Sequence, residues 1–266
     1  MLSTPDGVSA LVTLRLTVLG CAGAAPILGA CSSYAISDGD QTVLLDCGPG
    51  TLERAARLGL LPQIDAIVIS HMHADHMLDL VMFAGDLGQR EMGERRPVLY
   101  LPRGTGPRTL QALDAALAGS RRSPTRFERA FQFEEYGAED EIGRGRLVLS
   151  FAPTAHPVPC FAVRATDGRV ALAYGADGGP SDSVEQLARG VDLLVLEATY
   201  ADEEAAAAAH GHITAGQAGE LAARAGARAL LLTHLLPGAG DDLIALALRA
   251  YDGSVMLARE GLTQEL

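Results

Sequence analysis

Tryptophan and lysine are absent from this 266-residue sequence, and aromatic residues make up only 5% of it. A core without tryptophan must be filled by Leu, Val, Ile and Ala. The apolar fraction of 48% supplies enough of these for a sizeable buried interior. Without lysine, all 21 basic residues are arginine, which reads as a compositional bias rather than a functional signal. Against 33 acidic residues they leave a formal net charge of −12. Such a chain lacks the positive field of a general nucleic-acid binder. Only Arg121, Arg122, Arg126 and Arg129 gather into a basic segment, whose plainer reading is a solvated loop and helix face.

A CxxC pair is also missing. Cys21, Cys31, Cys47 and Cys160 are too few and too scattered for a disulfide framework, so reduced, buried thiols are expected. The first residues show no basic stretch leading into an apolar one, and no apolar run approaches the roughly 20 residues that span a bilayer. A soluble, cytoplasmic protein is the expectation. No shift in composition and no low-complexity linker divides the chain, so one domain over residues 1–266 is expected. The alanine run 205–209, flanked by acids, reads as a solvated helix or loop.

What is present is a rhythm of short apolar runs between Gly- and Pro-containing turns. Strands are predicted at 13–19, 33–36, 42–45, 66–69 and 97–101, with helices at about 50–58 and 107–117, the latter with Pro in its first turn. After a histidine cluster, Leu78, Val81 and Met82 recur at helical spacing. The second half repeats the theme. Strands are predicted at 147–151, 161–165, 170–174, 193–196, 229–232 and 254–257, and helices at 183–188, 215–225 and 242–250. This pattern predicts an α/β protein with two packed sheets, helices outside, and two similar halves.

The informative segment is Ser70-His71-Met72-His73-Ala74-Asp75-His76-Met77, with four candidate metal ligands in six positions, in a chain that has seven histidines altogether. In an extended segment His71 and His73 point to the same side and can converge on one ion. A following helix places Asp75 and His76 in its first turn, within reach of a second. Imidazole and carboxylate are the usual donors for zinc and similar divalent ions. His156, Asp177 and His234 each lie on a loop just beyond an apolar strand, where a rigid scaffold can aim a ligand.

The HxHxDH segment, followed by His156, Asp177 and His234, resembles the metallo-β-lactamase superfamily. Two further features resemble its ribonuclease Z-like phosphodiesterase branch: Glu197-Ala198-Thr199-Tyr200 after a strand, and Gly211-His212-Ile213-Thr214-Ala215 opening a helix. The resemblance runs from about residue 14 to residue 236. It implies an αβ/βα four-layer sandwich of two mixed sheets. It also implies two divalent ions, zinc first, with manganese or iron compatible with the same donors. One ion would take His71, His73, His156 and Asp177; the other Asp75, His76, Asp177 and His234, with Asp177 bridging. The implied reaction is in-line attack on phosphorus by a hydroxide held between the ions. Asp75, His212 and Glu197 are the implied catalytic residues, with Glu197 orienting His212 toward the leaving oxygen. His212 also has a plainer reading as a residue opening a helix, and Glu197 as a structural partner. Asp46 resembles the family's supporting Asp after a strand; unaided, it reads as a turn residue.

Cys47 reads as a small packed residue and His210 as exposed and uninvolved. Gly20-Cys21-Ala22-Gly23 reads as a tight turn, with close backbone approach to a substrate as the alternative. Ser32 and Ser33 read equally as phosphate contacts or as the start of a strand.

One departure from ribonuclease Z bears on the substrate. In that family a long arm lies between the position matching His156 and the bridging Asp, whereas here only 20 residues intervene. The short segment and the acidic chain favour a small phosphodiester such as a cyclic nucleotide, as in the arm-less cyclic-nucleotide phosphodiesterases of the superfamily. The alternatives are an RNA-processing nuclease gripping through 121–129 or a partner copy, another hydrolase of the superfamily (thioester, lactone or lactam), and a non-catalytic metal-binding scaffold. Members of the branch are often dimers, which allows a homodimer. No membrane partner is expected.

Overall fold

In this computed structural model, residues 13–24, 26–88, 96–118, 126–201 and 211–266 are described. Arg121, Arg122, His210 and the alanine run 205–209 lie outside them. From the beginning of the chain come β1 (Arg15–Gly20), β2 (Ser33–Ser37), β3 (Thr42–Leu45), α1 (Thr51–Arg57), β4 (Ile64–Val68), α2 (Ala74–Met77) and α3 (Leu80–Leu87). Next are β5 (Val98–Pro102), α4 (Thr105–Ala118), α5 (Arg126–Ala130) and β6 (Gln132–Tyr136). The second half contains β7 (Glu141–Arg144), β8 (Leu147–Pro153), β9 (Phe161–Thr166), β10 (Ala171–Tyr174), α6 (Asp182–Leu187) and β11 (Leu193–Glu197). It closes with α7 (Ala215–Ala225), β12 (Ala229–Thr233), α8 (Asp241–Ala247), β13 (Ser254–Leu257) and β14 (Thr263–Glu265).

Two seven-stranded sheets result, ordered β14-β1-β2-β3-β4-β5-β6 and β13-β12-β11-β10-β9-β8-β7. Both are mixed. From β14 to β3 neighbours run antiparallel, and from β3 to β6 parallel. In the other sheet β10 to β13 are parallel, and β7 to β10 antiparallel. The parallel interior strands β3, β4, β10 and β11 are buried along their whole length, as strands covered on both faces must be.

Side-chain alternation assigns each strand residue to a layer. Val43 and Leu45 enter the core between the sheets, while Leu44 packs under the outer helices with Phe83 and Phe127. Val195 and Leu231 face that same inner core, while Leu194, Leu196, Leu230 and Leu232 pack on Ala218, Leu221 and Leu243 of the opposite helical layer. Four layers follow, helix–sheet–sheet–helix. With no tryptophan, tyrosine and phenylalanine span the inner core. Tyr34 meets Tyr174 at 4.9 Å between ring centroids, and Tyr136 meets Phe151 at 4.2 Å.

Three strands, β6, β7 and β14, escape the sequence reading. Each is short and polar at a sheet edge, formed by ladder pairing rather than by an apolar run. Charged residues on β6 also suit an exposed edge. The helix predicted at 107–117 begins two residues earlier, and the strand predicted at 66–69 runs from Ile64 to Val68. The helix predicted at 242–250 stops at Ala247.

Candidate metal centre

All the predicted ligands stand at the C-terminal ends of strands, on one rim where the two sheets meet. The chain leaves β4 extended through His71 and His73, then enters α2, which carries Asp75 and His76. His156 follows β8, Asp177 follows β10 and His234 follows β12. Two groups form. In the first, His73 Nδ1 lies 3.1 Å from both His71 Nε2 and His156 Nε2. In the second, Asp75, His76, Asp177 and His234 converge. His234 Nε2 is 3.2 Å from Asp75 Oδ2 and 3.3 Å from Asp177 Oδ2, and His76 Nε2 is 3.2 Å from Asp177 Oδ1. Asp177 stands between the groups, its Oδ2 3.9 Å from His71 Nε2.

The outward nitrogens show which atoms carry protons. His156 Nδ1 donates to the Gly211 carbonyl at 2.9 Å, and His76 Nδ1 to Asp46 Oδ2 at 2.7 Å. Both partners only accept, so in its neutral form each ring turns the lone pair of Nε2 toward the centre. His76 Nε2 and Asp177 Oδ1 are both buried, lack hydrogen-bond partners and face one another. Two acceptors in that position call for a cation between them, and the donor set, imidazole plus carboxylate, suits a divalent one. The residues therefore fit the metal ions they were expected to hold.

Burial, then the neighbouring imidazoles, hold His71 and His73 below the ordinary histidine range, in the neutral form that ligates. Burial works against the charge of Asp75 and Asp177, yet the surrounding histidines outweigh it and hold both below the usual carboxylate range. Burial also opposes charge on His76 and His234, but Asp177 and Asp46 around the one, and Asp177 and Asp75 around the other, outweigh it and raise both above the ordinary histidine range. That positive charge is what a bound cation would supply instead. Asp46 is the hub behind the site. Its carboxylate accepts from the Ser70 backbone N–H at 2.7 Å, Ser70 Oγ at 2.8 Å, His76 Nδ1 at 2.7 Å and the Tyr174 hydroxyl at 2.7 Å. Glu197, the last residue of β11, lies 3.0 Å from His212 Nδ1 through Oε2 and accepts from Gly178 N–H at 2.8 Å through Oε1. The His212 ring stacks on His234 at 5.5 Å between centroids.

Residues 41–235 of this chain match the family described as "Beta-lactamase superfamily domain". The chain belongs to the beta-lactamase superfamily. It is 32% identical over 259 residues to the probable metallo-hydrolase YhfI of Bacillus subtilis, covering 95% of this chain and all of that one. The crystal structure of YhfI, a metallo-beta-lactamase fold protein, superposes with a TM-score of 0.83 at 29% identity, over 95% of this chain and 99% of that one. A ribonuclease Z from Haloarcula marismortui is 29% identical over 309 residues, covering 96% of this chain and 97% of that one. A diphosphatase of the PhnP family shares the fold, with a TM-score of 0.73 at 24% identity over 95% of this chain and 98% of that one.

Several supports of this superfamily member's site lie outside the residues predicted to act. The 20–24 loop is one of them. Gly23 N–H donates to Leu235 O at 3.0 Å and Ala24 N–H to Asp75 Oδ2 at 2.9 Å. A Cβ on Gly23 would lie 2.7 Å from His234 Nδ1, and one on Gly20 only 1.9 Å from the Cys31 carbonyl oxygen. The tight-turn reading is thus corrected: these glycines admit a close approach, Gly23 to the predicted ligand His234 and Gly20 to the backbone at Ala30 and Cys31, rather than to substrate. Gly23→Ala is expected to displace His234 and weaken metal binding about 10–100-fold, the range for lost ligand support. Metal analysis beside circular dichroism checks this, and wild-type metal content in the folded variant would refute it.

Ser33 Oγ donates to the Asp46 carbonyl at 2.9 Å and Ser32 is fully buried, so both belong to the scaffold. Cys47 is packed in the core beneath the helices, and burial pushes the Cys21 and Cys31 thiols up to about 11, leaving them protonated. Arg126 and Arg129 are exposed on α5. Among the described residues, no helix is long and apolar enough to cross a membrane. Ser70, Tyr174 and Thr199 were also missed as site residues. Ser70 and Thr199 had a signal, one directly preceding His71 and the other inside the Glu-Ala-Thr stretch.

Proposed function

We propose that this metallo-hydrolase of the beta-lactamase superfamily cleaves a small phosphodiester, a cyclic nucleotide being the leading candidate. The observation that carries the reading is the His212–Glu197 pair standing beside the ligand cluster. A hydrolase that only polarises a carbonyl has no evident need of it, whereas a phosphodiester must protonate a poor leaving oxygen.

The two groups of donors suit two divalent cations, zinc first and manganese or iron next. Such ions would supply charge neutralisation for phosphoryl oxygens and hydroxide near neutral pH. His71, His73 and His156 would hold one, Asp75, His76 and His234 the other, with Asp177 shared. Glu197 holds His212 through Nδ1, leaving Nε2 as the atom that can turn to substrate. Burial disfavours the charged ring, but the hydrogen bond and charge of Glu197 outweigh it and raise the His212 pKa. A proton is then available on Nε2 for the departing oxygen. Asp75 has its Oδ2 fixed by the Ala24 N–H, so it enters the site in one orientation.

The ribonuclease Z relative favours a second reading, RNA processing. Against it, residues 157–176 are taken up by the antiparallel pair β9 and β10 and their connections, leaving no arm to grip a large polyanion. The relatives named ribonuclease Z and diphosphatase support phosphorus as the centre attacked under either reading. The test is hydrolysis of bis(p-nitrophenyl) phosphate, 3′,5′-cyclic AMP and a transfer-RNA precursor by metal-loaded protein. Cleavage of the two small diesters with the precursor intact is expected. Cleavage of the precursor would favour the nuclease, and no cleavage with metal bound would point to thioester, lactone or lactam substrates.

A further inference from the structure

The two carboxylates behind the site, one at the end of β3 and one at the end of β11, are wired alike. Asp46 accepts directly from His76 and from the hydroxyl of Ser70, and that hydroxyl lies 3.0 Å from His71 Nδ1. Glu197 bonds directly to His212 and accepts from the hydroxyl of Thr199, and that hydroxyl lies 2.8 Å from His234 Nδ1. A hydroxyl has one proton to give. Thr199 has three possible acceptors in reach, Glu197 Oε2, His234 Nδ1 at 2.8 Å and the His234 carbonyl at 3.5 Å; the carboxylate is both the closest and the charged one. With its proton committed there, Thr199 Oγ1 can only accept from His234, which puts the imidazole proton on Nδ1 and the lone pair on Nε2. That Nε2 is the atom aimed at Asp75 and Asp177.

We propose that Thr199 is a positioning residue that fixes the tautomer of His234, so that Glu197 governs a metal ligand as well as His212. Thr199 and Glu197 are both buried, so water does not substitute for the relay. Ser70 performs the same task for His71 from the other sheet. The inference rests on the reading of His234 as a metal ligand. It goes beyond that reading by making one carboxylate answer for both a ligand and the proton donor.

Valine matches threonine in shape but removes the hydroxyl; serine keeps the hydroxyl and leaves a small void. The experiment compares wild type, Thr199→Val and Thr199→Ser by chelator competition for bound Zn²⁺ and by the visible spectrum of the Co²⁺-substituted proteins. Thr199→Val is expected to weaken one of two ions about 10–100-fold and alter its Co²⁺ bands, with the other ion unchanged and Thr199→Ser close to wild type. A mere packing role predicts the reverse order, serine worse than valine. Wild-type affinities in Thr199→Val would overturn the relay while leaving the metal centre standing. Wild-type protein that binds no metal would overturn both. Nitrogen-15 spectra of the zinc-loaded wild type give a check that needs no variant: they should show the His234 proton on Nδ1, and a proton on Nε2 would overturn the proposal.

Discussion

Asp177→Ala is expected to lose both bound metal and phosphodiester cleavage, more completely than any other single substitution at the site. The reason is geometric. One carboxylate places Oδ1 at 3.2 Å from His76 Nε2 and Oδ2 at 3.3 Å from His234 and 3.9 Å from His71, so it belongs to both groups of donors. Its removal also leaves six imidazole and carboxylate groups with less negative charge to balance a cation. The loss should therefore exceed the roughly 10–100-fold that follows from deleting a group that merely supports a ligand. Metal analysis of purified protein with the diester assay measures both effects. Two ions per chain in the alanine variant would show that Asp177 is not shared.

His212→Ala should separate binding from chemistry. Its ring nitrogen is held by Glu197, and its pKa is raised, so its contribution is a positioned proton rather than a coordinate bond. Metal content should stay at the wild-type level while turnover falls roughly 10²–10⁴-fold, the range for a lost general acid. Glu197 keeps the Gly178 N–H and the Thr199 hydroxyl in that variant, so the metal side of its network survives. Loss of metal with unchanged turnover per bound ion would make His212 a ligand instead.

Much of this was legible in the residues before the fold was known, and for identifiable reasons. The buried strands have apolar runs because both of their faces are covered, and the HxHxDH segment is dense enough to stand out in a chain with seven histidines. The bounds of α7 were read correctly because Thr214 and Gln217 form a capping box and Gly226 ends the helix in the left-handed region. By contrast, β14 is Thr-Gln-Glu, and nothing in those three residues distinguishes a strand from a tail; only pairing with β1 makes it one. The support by Gly23 and Tyr174 was hidden for a similar reason. Gly23 matters because His234 is beside it, and Tyr174 because its hydroxyl reaches Asp46, 128 residues away in sequence.

The left-handed backbone at Asp46, Ala176 and His234 belongs to the same class of feature, since it appears only in the folded chain. Each such residue costs about 1–3 kcal/mol and persists because its surroundings hold it, and these three lie at strand ends in or next to the site.

The position of the site on the rim between two sheets has a kinetic consequence. The contact between His234 and Asp75 joins residues 159 apart in sequence, and that between His156 and His73 joins residues 83 apart. Contacts of such long range form late, because their closure entropy must be met before they contribute. A nascent chain that has formed only β1 to β6 presents His71, His73, Asp75 and His76 on one loop, with no opposing wall. The full set of donors is then assembled only once the loop after β12 brings His234 against Asp75 and Asp177, so the two halves of the chain meet at this one rim.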